Sequence, residues 1–93
     1  MKANIQTTYN KEKTIWLVIC YSLHNKEIAS VDVFTSYDAA IEFLETDAQN
    51  TYEEELNGES SNVDFTLGRG NAYLSSCDRE NEWTWEIIQK TIK

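Results

Sequence analysis

Ninety-three residues are enough for one domain with a single hydrophobic core and too few for two. Apolar residues at 41% and aromatics at 12% exclude global disorder. The formal net charge of -8 opposes nucleic acid as a direct ligand, because phosphates are repelled, and favours a basic protein surface.

The acidity is a block. Residues 1–30 carry Lys2, Lys11, Lys13 and Lys26 against Glu12 and Glu27. Residues 31–66 carry Asp32, Asp38, Glu42, Glu45, Asp47, Glu53, Glu54, Glu55, Glu59 and Asp64, with no Lys or Arg among them. Residues 67–93 hold four charges of each sign. A charge spread for solubility alone would not gather in one third of the chain.

Taken in order, residues 1–13 are polar and without period, which predicts a flexible arm ahead of a single α+β domain over 14–93. Thr14–Tyr21 is β-branched and aromatic, the composition of a central strand. His24-Asn25-Lys26 supplies a turn, and Glu27–Thr35 follows as the second strand of an antiparallel hairpin. Thr35-x-x-Asp38 has the form of a capping box, with Ser36 as the other candidate cap. The helix it opens runs over Ser36–Leu56 and stops at Asn57-Gly58. Val63–Leu67 and Ala72–Cys77 are short strand candidates around a Gly68–Asn71 turn, and Asp78–Asn81 is a charged turn. Glu82–Ile92 alternates Trp83, Trp85 and Ile87 with Glu82, Thr84 and Glu86, as a half-buried strand does, although its IIQKTI end also fits a helical turn. The pattern predicts an antiparallel sheet of four to five strands with one amphipathic helix on one face, in the order β-β-α-β-(β)-β. Its expected core is Leu17, Val31, Val33, Ile41, Leu44, Ala48, Tyr52, Trp83, Trp85 and Ile87.

Catalytic and metal chemistry find little support. His24 is the only histidine and falls in a turn, Cys20 and Cys77 lack C-x-x-C spacing, and no nucleophile has a base nearby in a recognisable motif. Gly68-Arg69-Gly70 is too short for a phosphate-cradling loop. Carboxylates spread along a straight helix do not converge on one cation, and no D-x-D-x-D-G loop is present. The expectation is a non-enzyme without cofactor or metal. Ile15–Cys20 is too short for a membrane span or secretory leader, which leads to an expected cytoplasmic location with reduced thiols.

The helix is the exception to this plain picture. Tyr37, Ala40, Ile41, Leu44, Ala48 and Tyr52 form its apolar stripe, and Asp38, Glu42, Glu45, Gln49 and Glu53 line a second one. Like charges three and four apart oppose a helix by about 0.2–0.5 kcal/mol per pair. Glu53, Glu54 and Glu55 also crowd the C-terminus, where the macrodipole favours cations. Local rules broken without structural gain mark candidate functional sites. Carboxylates four apart stand about 6 Å apart along the axis, and such a row, continued by Glu59 and Asp64, imitates a phosphate backbone.

A tiny, acidic, proline-free α+β chain with Asp38, Glu42, Glu45, Glu53, Glu54 and Glu55 on its helix resembles, in character rather than by motif, the DNA-mimic inhibitors encoded by bacteriophages, including anti-CRISPR proteins. That resemblance implies an inhibitor acting in the cytoplasm of a bacterial host. Its partner would be a basic nucleic-acid-binding protein such as an RNA-guided CRISPR nuclease, bound through these residues with Glu59 and Asp64. The alternative is a non-catalytic interaction or homodimerisation module that acts through its sheet, by an exposed edge or an aromatic patch around Trp16 and Tyr73.

Overall fold

A computed structural model describes residues 13–58 and 61–92. Residues 1–12 of the expected arm, and Glu59, lie outside the described residues; Lys13 already belongs to a strand. The elements are β1 (Lys13–Ser22), β2 (Glu27–Phe34), α1 (Tyr37–Asn57), β3 (Asp64–Gly68), β4 (Asn71–Ser76) and β5 (Asn81–Ile92). The five strands make one antiparallel sheet in the order β2-β1-β5-β4-β3, and α1 packs on one face, so the domain is α+β as expected. The IIQKTI end of β5 is strand, because it has a full-length partner: β1 and β5 pair from Lys13↔Ile92 to Ser22↔Trp83. This pairing closes the two ends of the described chain into the middle of the sheet.

Ser36 caps α1, its Oγ accepting from the Ala39 N–H at 3.0 Å, so the helix starts one residue later than a Thr35 cap would set it. It ends at Gly58, whose N–H donates to the carbonyls of Glu54 and Leu56. Gly70 takes φ +86 in the β3–β4 turn, a conformation glycine adopts without steric cost.

The core lies between α1 and the sheet. Ala40, Leu44 and Ala48 are fully buried against Val18, Cys20, Ala72, Leu74 and Trp85. The two alanines let the helix come close, and three ring pairs tie it to three strands: Trp16 with Tyr37, Phe34 with Phe43, and Tyr52 stacked on Phe65 at 4.5 Å. Trp83 and Ile87 pack at the margin of the same cluster.

Three expected core residues are elsewhere. Val31 and Val33 are 49% and 58% exposed, and Leu17, paired with Val33, shares their face, the one turned away from α1. The cause is parity. Both faces of β1 are apolar, so the sequence does not say which one meets the helix; Trp85 pairs with Cys20, which fixes the even-numbered residues of β1 inward. A bulge opposite Cys20/Tyr21 then inserts Ala29 into β2 and brings Ile28 onto the outer face with Val31 and Val33.

Candidate functional site

At about 100° per residue, the turn of an α-helix places Asp38, Glu42, Glu45, Gln49 and Glu53 on one flank of α1. Asp38, Glu42 and Glu53 are exposed and Glu45 is half-buried. Gln49 Nε2 donates to Glu53 Oε2 at 3.3 Å, so the neutral member of the row orders its neighbour. From Asp38 to Glu53 the row runs about 22 Å at 1.5 Å per residue. Its only uncharged member is Gln49, and α1 has no Lys or Arg to answer it.

The other candidate carboxylates do not join the row. Glu54 is exposed on the opposite flank, one residue round from Glu53. Glu55 turns to the sheet, where its Oε1 accepts from Ser76 Oγ at 2.5 Å. Asp64 sits on β3 beside Phe65; because Phe65 packs into the core, Asp64 points to the far side of the sheet and does not continue the helical row. Of the expected set, the geometry therefore gathers Asp38, Glu42, Glu45 and Glu53 and separates Glu54, Glu55 and Asp64.

Asp47, grouped with the acidic block by its sequence, has a structural task. Its Oδ2 accepts from Trp85 Nε1 at 2.9 Å, across 38 residues of chain, and satisfies the indole N–H inside the helix–sheet interface. A buried Trp demands an acceptor for its indole N–H, but nothing in the local sequence says that Asp47 supplies it. Burial, helped by the nearby Asp47 charge, pushes the Cys20 thiol up to about 11, so it stays protonated. Cys77, in the β4–β5 turn, is also a free thiol.

The far side of the sheet is the second distinctive surface. Ile28, Val31, Val33 and Ile88 are exposed there, beside a shallow depression of about 600 Å³ lined by Ile19, Tyr21, Thr66, Tyr73, Thr84 and Glu86 among others. Tyr73 lies on this side with its hydroxyl donating to Glu82 Oε2 at 2.5 Å, whereas Trp16 lies under α1; the aromatic patch expected around the pair is not formed. His24 is exposed in the β1–β2 turn. Among the described residues no group of three or more His, Cys, Asp or Glu converges to hold a metal ion, and no helix is long and apolar enough to cross a membrane.

The described residues thus form a one-helix, five-strand α+β fold with an acidic row on its helix and an apolar face on its sheet. Comparison with protein-family models, curated protein sequences and solved structures yields no match.

Proposed function

We propose that the chain is a non-catalytic protein inhibitor that occupies the basic nucleic-acid-binding surface of a host defence protein, an RNA-guided nuclease being the leading class, with the Asp38–Glu53 flank of α1 standing in for a phosphate backbone. The observation that carries this reading is the uncompensated row itself: Asp38, Glu42, Glu45 and Glu53 share one flank of a helix anchored to the sheet through three ring pairs. A rigid scaffold lowers the ordering cost of binding. Arg side chains of a partner would meet the carboxylates in charge-assisted hydrogen bonds, and the summed field of the block would speed encounter.

The test is capture from a bacterial lysate expressing an RNA-guided nuclease, washed at low and high salt and competed with duplex DNA. The proposal expects a basic nucleic-acid-binding protein that is retained at low salt, released by DNA, and bound about tenfold or more weakly by the triple variant E42K/E45K/E53K. Glu55 is left out of that variant because Ser76 donates to it. Retention that neither DNA nor the triple variant changes would reject the mimicry.

A further inference from the structure

The face of the sheet opposite α1 has a plan that appears when the strand registers are read across it. Val33, Leu17 and Ile88 stand in one cross-strand row, since Leu17 is the partner of both Val33 and Ile88. One step toward the Lys13/Ile92 end of the β1–β5 ribbon lies the row of Ile15 and Lys90, and beyond it Lys13 and Ile92. One step the other way lies the row of Val31, Ile19 and Glu86, and beyond it Ile28, Tyr21, Thr84 and Tyr73. On β5, Lys90 and Glu86 are therefore equally far from Ile88, each about 7 Å away along the strand, with opposite charge. A surface whose charges change sign about a central apolar row fits a copy of itself turned by half a revolution.

We infer that this face is a homodimer interface, with the two-fold axis lying along the Val33–Leu17–Ile88 row and the sheets stacked face to face. Each central side chain then meets its own counterpart, and Ile15 lies over Ile19 of the second copy. Lys90 lies over Glu86 of the second copy, twice by symmetry. The ribbon end with Ile92 extends past β4, which pairs with β5 only from Asn71↔Glu86 to Ser76↔Asn81. In the stacked pair that end sits over the partner's depression between Ile28 and Thr84. This inference does not rest on the acidic helix: both helices face outward, and the two rows of carboxylates are kept apart.

Area supports the same occupant. Ile28 (57%), Val31, Val33, Ile88 (38%) and Ile92 (47%) together leave a patch on the order of 450 Å², in the middle of the roughly 300–600 Å² range for the largest patch on a monomer. A homodimer interface of about 800 Å² per partner, roughly 65% apolar, needs about 520 Å², and the half-buried Ile15, Leu17 and Ile19 of the same face add to that patch. The charges also argue against a strongly basic or strongly acidic partner, since either would repel one end of the face.

Sedimentation equilibrium of the full chain tests this directly. The wild type is expected to move from 10.8 kDa toward twice that mass as concentration rises through the micromolar range. I88K, at the axis, should weaken association about a hundredfold, while K90E or E86K alone should weaken it about tenfold. Ile88, Lys90 and Glu86 are all exposed, and unchanged circular dichroism would confirm that these variants fold. The charge-swapped K90E/E86K chain should recover the dimer, and so should an equimolar mixture of the two single variants, because each then faces its complement. A wild type that stays at 10.8 kDa up to several hundred micromolar overturns the inference. So does a dimer that ignores I88K and both charge reversals, which would place the contact elsewhere, for instance at the β2 edge.

Discussion

The face of the sheet under α1 and the face turned away from it are both rich in apolar side chains, yet they are built for different neighbours. Under the helix the residues are large rings interleaved with small side chains: Trp85, Trp83, Phe34 and Phe65 beside Ala72 and Cys20. That mixture fills the irregular space between a cylinder and a twisted sheet, and the helix answers with Ala40 and Ala48 where it must come close. The outer face is mainly β-branched, with Ile15, Ile19, Ile28, Val31, Val33 and Ile88 presenting an even surface that suits another sheet rather than a helix. Burial is thus settled by shape and polar anchoring as well as by hydrophobicity.

The sharpest way to break this comparison is to truncate matched residues on the two sides. Leu44→Ala removes a fully buried side chain between α1 and the sheet and is expected to cost about 3 kcal/mol, within the usual 2–5 for such cavities. Val33→Ala, on the open face, should change the stability of the dilute protein by less than about 0.5 kcal/mol. Urea denaturation of both variants checks it. Equal losses would mean that the outer face is already covered in the dilute protein.

A smaller effect isolates the polar anchor. Trp85→Phe keeps most of the buried ring but deprives Asp47 of the donor at 2.9 Å, and about 1–2 kcal/mol should be lost. Asp47→Ala should cost less in the Trp85→Phe background than in the wild type, and a double-mutant cycle reads the difference. Strict additivity would show that the indole–carboxylate contact contributes nothing to stability.

The sequence carried the order of elements well, because each boundary has a local cause: a Ser36 cap, a Gly58 stop, a turn at Leu23–Lys26, and a Gly70 that accepts φ +86. Sidedness was harder. With Ile15, Leu17 and Ile19 on one face of β1 and Trp16, Val18 and Cys20 on the other, alternation gives no preference. The extra residue in β2, Ala29, has no sequence signature at all. The acidic row was legible from helical spacing, whereas the diversion of Asp47 and Glu55 to the sheet depends on contacts with Trp85 and Ser76 that no local pattern contains.

The smallest effect bears on the two flanks of α1. If the acidic row is kept for binding, it should tax the helix, and relieving it should stabilise the free protein. Glu42→Lys puts a base four residues after Asp38, the favourable order for such a pair, and next to Glu45. Removing two like-charge contacts and adding attractive ones should raise stability by about 0.5 kcal/mol, seen as a small rise in Tm that fades as salt screens the charges. The same variant should bind a basic partner more weakly. A substitution that strengthens the fold while weakening recognition is the expected mark of a residue held for function against the interest of its own helix. Were Glu42→Lys instead to lower Tm at low salt, the row would be stabilising in itself, and no external partner would be needed to account for it.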